Sequence, residues 1–442
     1  MEIIQLILTS WLLCVIALCF INLKWAVSLF MAYLMLVPYI NLGLPGMGTG
    51  DNFIKLIMFM CLWKNIIKNK IKFNLFPFIP FIIYFIVSFV MIPFQDGVPA
   101  GIMFETWRKD VLGVLFLPFI IWNIVLINPS SVKLFRNTMI ICVIIAIGYG
   151  LFLTKMDGFN PYAMYFLQFS ESDIDYESYY GASGGGRLFG RISSVYIHPM
   201  TFALFIGFAL IYLYYIRFFC NIIVVRGLLI ATIIMAIICG VRSVIGGLII
   251  VLAYYIVIKK DLVLLTIICF AVLLGGSLIS LVPELSDYLG SIVDINNKNT
   301  NISGSSWELR FEQLNGAMVE ASKSPLYGLG YKWTDYYLSV NGDHPICLAF
   351  ESLIFVVICN SGIIGIFLWC YMVLKYFSIN RKMKLEKLVA VNALIVFYIS
   401  FSMITGEYGY MRIFLIFYIL MLSELYANKL RSEKRSCLCR HC

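Results

Sequence analysis

The 442-residue chain is short of charge. Only 13% of its residues are Asp, Glu, Lys or Arg, about half the ~25% usual in soluble domains. That shortage excludes a water-soluble globular class. Histidine is scarcer, with three in the whole chain. Thirteen cysteines are present, but ten lie in or beside apolar stretches and the two large polar loops hold none. Cysteine among apolar neighbours behaves as a small hydrophobe, so no disulfide framework is implied. The apolar start, MEIIQLILTSWLLCVIALCFINL, lacks a basic leader and a small-residue cleavage site, which marks a retained span rather than a signal peptide. No internal repeat and no base-reading motif stand out, so nucleic acid is not an expected partner. Ionisable residues inside the apolar stretches are few, chiefly Lys55, Glu351, Arg412 and Glu424. That weighs against an ion-coupled transporter, which keeps charges near the midplane.

What is abundant is apolar sequence: 61% hydrophobic residues and a mean hydropathy of +0.91. A bilayer span needs ~20 apolar residues. Thirteen stretches qualify or nearly so, roughly 3–23, 25–40, 53–67, 73–94, 111–128, 137–153, 197–216, 221–240, 243–258, 262–282, 346–374, 388–404 and 410–426. The third is weakened by Lys55 and Lys64. The expected fold is an all-α integral membrane protein, a helical bundle of about 12–13 spans with two larger outer loops.

The net charge of +9 is mostly a topology signal. Basic residues cluster in short loops, at Lys64–Lys72, Lys133 with Arg136, Arg217 with Arg226, Lys259 with Lys260, and Lys375–Lys387, and again in the tail. By the positive-inside rule these face the cytoplasm. Both long loops then fall outside. The chain divides into N-terminal spans (1–153), a first outer loop (154–199), middle spans (200–282), a second outer loop (283–345), C-terminal spans (346–426) and a basic cytoplasmic tail (427–442). Loop 154–199 carries five acidic and three basic residues, and loop 283–345 eight and four.

The chemistry-bearing residues gather outside, near membrane boundaries. His344 follows the turn signal Asn341-Gly342-Asp343 and precedes Pro345, which keeps it out of helical geometry. It is either a loop histidine at the interface or a functional base. Arg310 lies on an expected loop helix opened by the capping-box pair Ser305 and Glu308 and closed at Ser324-Pro325. Trp307, Phe311, Leu314, Met318 and Ala321 recur at helical spacing and form its apolar face. Arg310 is a solvated charge or an anion contact beside the helix start. Arg242 falls between two apolar spans, and an arginine so near hydrocarbon either snorkels or has an anionic partner. Arg187, Arg191 and His198 cluster before the seventh span. The glycine run before them, GASGGG, lacks the strand and helix of a nucleotide fold and reads as a hinge. The acidic stretch ESDIDYESYY has no metal-ligand pattern. The tail's CLCRHC offers soft ligands without a second half. Arginines suit bidentate capture of a diphosphate, a histidine accepts a proton near neutral pH, and Trp333, Tyr336 and Tyr337 offer rings for a sugar face.

Three segments resemble the bacterial O-antigen polymerase and O-antigen ligase superfamily of membrane glycosyltransferases. VRSVIGGLI resembles the family's arginine-bearing span start. WELRFEQLNGAMVEASKSPLYGLG resembles its arginine followed by a P-x-x-G-x-G turn. GDHPICLAFESLIFVVICNSGIIGIFLW resembles its histidine and G-x-x-G span, and RLFGRISSVYIHP is a fourth, looser match. The family has asparagine after its histidine, where this chain has Pro345. The resemblance implies a glycosyltransferase C-like fold and a transfer that needs neither metal nor cofactor. It would run at the outer face of the bacterial inner membrane, with the active site facing the periplasm. Donor and acceptor would be glycans on undecaprenyl diphosphate, and a partner protein would set chain length. On this reading His344 is the general base, Arg242 and Arg310 hold the donor diphosphate, and Arg187 and Arg191 orient the acceptor lipid, with His198 beside them. The expected function is polymerisation of lipid-linked repeat units. A ligase to the lipid A core and a polysaccharide flippase are the alternatives.

Overall fold

Hydrocarbon offers backbone groups no hydrogen-bond partner, so apolar runs satisfy themselves as helices. The computed structural model has fifteen α-helices and no strand among the residues it describes, which are 2–37, 50–68, 72–156, 159–167, 191–260, 307–381, 383–407 and 409–438. In chain order these are α1 (Glu2–Ile21), α2 (Leu23–Leu36), α3 (Gly50–Lys68), α4 (Ile79–Met91), α5 (Ala100–Ile127), α6 (Ser131–Leu153), α7 (Pro161–Leu167) and α8 (Pro199–Ile216). Then follow α9 (Ile222–Ile238), α10 (Arg242–Lys259), α11 (Trp307–Ser322), α12 (Trp333–Asn341), α13 (Leu353–Asn380), α14 (Leu385–Thr405) and α15 (Tyr410–Leu438). Eight helical stretches are long and apolar enough to cross a membrane, and α1, α2 and α9 contribute shorter apolar helices. The protein is a multi-pass, all-α membrane bundle. The expected tenth span (262–282), the glycine run, the acidic stretch and residues 439–442 of the tail lie outside the described residues.

Helix starts follow local chemistry. His198 caps α8 through Nδ1, which accepts from the Met200 amide at 3.1 Å, and Pro199 takes the first helical position where a missing N–H costs nothing. Asn221 caps α9 by accepting from the Ile223 amide at 3.0 Å. The centre of the bundle is α8, whose Phe202–Tyr215 face is buried among α14, α15, α9 and α10. Phe397 of α14 seats on Gly207 of α8 and Gly247 of α10, where any Cβ would strike its ring. Large side chains such as Phe20, Ile223, Val257 and Phe367 stand exposed on the outside of the bundle, as a lipid-facing surface requires.

The loops sort to two faces. On one, Asn74 and Asn123, Pro77 and Tyr376, Arg136 and Glu424, Lys259 and Glu386, and Asn380 and Tyr418 pair across helix ends. This face carries the basic clusters. The opposite face gathers the start of α5, the turn before α8, the α9–α10 junction, helices α11 and α12, and the α14–α15 connection. The Ile192 amide, for example, donates to the Cys239 carbonyl at 3.2 Å. The loops that carry the basic clusters thus lie on one side of the packed helices.

Helices α11 and α12 form a cap with its own small core of Ala317, Ala321, Tyr331, Trp333, Cys347 and Phe350 against Ile92, Val98, Met103 and α13. The expected stripe of α11 is split: Leu314 and Ala321 pack inward, and Phe311 and Met318 face out. Phe311 and Met318 are 64% and 50% exposed, while Gln313, Ala317 and Ala321 are buried. Small residues decide this, because Gly316 sits against Ile346 and Cys347 with no space for a Cβ.

The cap is anchored by an unusual joint. Helix α13 is broken at Gly362 (φ 57°, ψ −153°). The loop between α11 and α12 fills the break: the Leu329 amide donates to the Cys359 carbonyl at 2.7 Å, and the Ile363 amide donates to the Pro325 carbonyl at 3.0 Å. Gln95, 6% exposed, bridges the joint, with Nε2 donating to the Tyr327 and Asn360 carbonyls at 2.6 and 3.1 Å and Oε1 accepting from the Tyr331 amide. Backbone groups freed by the break are thus satisfied by the loop, as a membrane interior demands. The P-x-x-G-x-G turn, Pro325 to Gly330, is the piece that enters.

Candidate functional site on the capped face

Arg310 is built into a junction of three elements. From α11 its guanidinium donates to Gln313 Oε1 (3.0 Å), to the Glu351 carbonyl (2.9 Å), to Glu351 Oε2 (2.9 Å) and to the Ile404 carbonyl at the end of α14 (3.4 Å). It keeps 26% of its side chain exposed and Glu351 45%. So exposed a pair adds little stability, typically ~0–1 kcal/mol, yet its geometry fixes the guanidinium at the mouth of the bundle.

Arg242 opens α10 at the same mouth. One turn on, a Cβ added at Gly246 would lie 3.6 Å from the Ile404 side chain, so the start of α10 packs beside the end of α14 whose Ile404 carbonyl Arg310 holds. Arg191 and His198 precede α8 and reach the α9–α10 junction through the Ile192–Cys239 hydrogen bond. Burial and then the Arg191 charge push the His198 imidazole down to about 4, so it is neutral at ordinary pH. Arg412, at the start of α15, acts on Tyr196 in the same turn and adds a further cation to this side. Arg187 lies outside the described residues.

His344 sits elsewhere. Its Nδ1 accepts from the Ile346 and Cys347 amides at 3.2 and 2.9 Å, so the neutral ring carries its proton on Nε2. Nε2 stands 3.6 Å from Glu320 Oε1, and Lys323 holds the other carboxylate oxygen at 2.6 Å. The ring is 6% exposed and packs on Tyr337 and Phe350. The turn that holds it places Leu348 and Phe350 at φ 50° and 53°, a left-handed conformation uncommon outside glycine. Trp333, 7% exposed, is also spent on this cluster, packing on Tyr337 and Phe350, and Tyr336 is half-buried beside it. Glu320 lies ten residues along α11 from Arg310, about 15 Å of helix. The structure thus places Arg310 and the start of α10, which Arg242 opens, beside the same end of α14, and leaves His344 against the other end of α11.

Sequence reading missed a further constellation. Lys332, in a left-handed conformation before α12, reaches Asp335 at 3.0 Å. Asp110 of α5 accepts from the Tyr331 hydroxyl at 2.8 Å. Glu407, 8% exposed, accepts from the Tyr398 hydroxyl and from the Gly409 and Met411 amides. Burial lifts the Glu407 carboxyl above its usual range, against the pull of Lys332. Burial alone would lower the Lys332 ammonium, but Asp335, Asp110 and Glu407 together carry it above its ordinary value. The available signal was Glu407, a lone carboxylate in a connection of four residues between two apolar spans. Compared with known proteins, the chain matches no family model and no curated sequence.

Proposed function

We propose that the protein polymerises undecaprenyl-diphosphate-linked oligosaccharide repeats at the outer face of the bacterial inner membrane, and that the capped face is the outer one. The observation that carries this reading is that Arg310 and the start of α10, which Arg242 opens, both meet the end of α14. Two guanidinium groups at a lipid boundary suit a lipid diphosphate, which they can grip bidentately and stabilise as it leaves. The three motif segments support the same class.

The base is reassigned. A general base must lie within ~3 Å of the proton it takes. His344 has its Nδ1 lone pair engaged and stands a helix length from Arg310. Glu407 lies three residues from Ile404, whose carbonyl Arg310 holds, at most ~11 Å along the chain. We assign the acceptor proton to Glu407, and to His344 the positioning of the cap through Glu320.

In a host that makes lipopolysaccharide, deletion of the gene should leave a lipid A core bearing one repeat and no ladder. A bare core on the gel would overturn the polymerase reading. It would favour the ligase, or a transporter. One observation does lean to transport: a broken helix beside buried charges is how transporters hold ions at the midplane. Transbilayer movement of lipid-linked repeats by the purified protein in vesicles would decide for it.

A further inference from the structure

Against the break in α13 lies a cavity of about 60 Å³, space for about four waters. Its polar lining is Asp110, Lys332, Asn360, Ser361 and Glu407, and Tyr84 and Trp369 add aromatic walls. Two of these groups keep a hydrogen-bonding atom free toward the cavity. Asn360, 7% exposed, accepts from the Thr334 amide through Oδ1 at 2.9 Å, while its Nδ2 donates to nothing among the described residues. Ser361, 9% exposed, has no hydrogen bond for its hydroxyl among them. A donor amide and a hydroxyl left free on one cavity wall are open to a polar ligand.

We propose that the cavity is a sugar subsite that takes one edge of an uncharged pyranose ring. A sugar hydroxyl donates and accepts at once. The lining offers both partners side by side: carboxylate oxygens on Asp110 and Glu407, and donors on Asn360, Ser361 and Lys332. Tyr84 and Trp369 stand edge to face at 6.0 Å and form an apolar wall against which the C–H face of a ring packs. A whole hexose displaces about six waters at ~30 Å³ each, so the cavity accepts two or three hydroxyls and leaves the remainder of the ring at the mouth. Charge sets the specificity. One lysine faces Asp110, Asp335 and Glu407, a surplus of carboxylates that repels a uronic acid. The position fits as well, because Glu407 and the Arg310-bound Ile404 carbonyl share one short connection. The subsite rests on the proposed function only in drawing its sugar from a lipid-linked glycan.

The test uses the purified full chain in detergent, methyl hexosides and methyl hexuronosides as probes, and tryptophan emission as the readout, with Trp369→Phe identifying the reporting ring. The expected result is a saturable change with a hexoside that is absent in Trp369→Phe and absent with hexuronosides. Asn360→Asp keeps the acceptor for Thr334 but removes the donor and adds charge, so it should weaken the hexoside by at least about tenfold. Ser361→Ala, a smaller change, should weaken it severalfold. No saturable response from any hexoside in folded wild-type protein overturns the proposal, as does equal binding of hexuronosides or unchanged affinity in both variants. Failure here with a lost ladder in the deletion strain removes the subsite and keeps the polymerase. Hexoside binding with an intact ladder does the reverse.

Discussion

The joint between the cap and the broken helix can be tested by adding a single methyl group. Gly328 has φ +73°, and a Cβ there would fall 2.5 and 2.6 Å from the Asn360 carbonyl carbon and oxygen, with the Ser361 amide nearer still. These are backbone atoms, so no side chain can swing aside. Gly328→Ala carries two costs. The left-handed conformation costs an L-residue about 1–2 kcal/mol. Forcing the loop out of the break adds roughly 1–3 kcal/mol of overpacking, and more where the hydrogen bonds of Leu329 and Ile363 are lost. Gly409 provides the control, because it has φ +78° and nothing within 4 Å of its would-be Cβ. Gly409→Ala should therefore show the first cost alone. At about 1–2 °C per kcal/mol for a chain this long, the melting temperature in detergent should fall roughly 2–10 °C for Gly328→Ala and roughly 1–4 °C for Gly409→Ala, with the larger fall in the former. Protease nicking near Pro325 should rise only in the former. Equal shifts in the two variants would refute the docking of the loop into the break.

Other outcomes follow from the same geometry. Arg310→Lys and Arg242→Lys should abolish polymer while costing less than about 1 kcal/mol in stability, since a point charge cannot replace a bidentate fork; polymer at wild-type level in both would make them anchors. Glu407→Gln should cut polymerisation about 10²–10⁴-fold, and His344→Ala should cost stability but less than tenfold in rate; the reverse pattern in a polymer assay would return the base to His344. His198 is held near 4, below its free value of about 6.5. Its contribution is therefore complete above pH 6.5 and is lost as pH falls toward 4, by at most about 1.4 kcal/mol per pH unit. His198→Gln should flatten the melting-temperature profile across that window, and an unchanged profile would disprove the assignment.

The span pattern was legible because the bilayer reduces helix location to a question of composition. Asn22 between α1 and α2 and the Arg242 junction fell where hydropathy breaks. The grouping of loops was legible too, because the basic ones share a face. The cap was harder to read. The helical period correctly gave α11, but it could not say which face packs, and the exposed Phe311 and buried Gln313 reverse the simple amphipathic rule. A soluble helix buries its apolar stripe. A helix lying on a membrane surface can turn that stripe to lipid and pack its small residues inward.

The break in α13 was illegible for a different reason. Gly362 follows Asn360 and Ser361 in an otherwise apolar run, ICNSGIIGIFLW, a turn signal that the length of the run outweighs, whereas Gly365 stays helical. What fills the break lies 34 residues upstream, in a loop whose own Gly328 fits against it. Glu407 and Asp110 were missed for the same kind of reason. Each is one carboxylate at the edge of a span, where sequence reads a boundary charge, and only the fold brings Lys332 between them. His344 stood out in sequence because it is rare, whereas Glu407 stands out in the structure because it is buried with donors on both oxygens. Rarity marks a residue that has few copies, but a proton acceptor is defined by what surrounds it, which is why the carboxylate is the stronger candidate for the base.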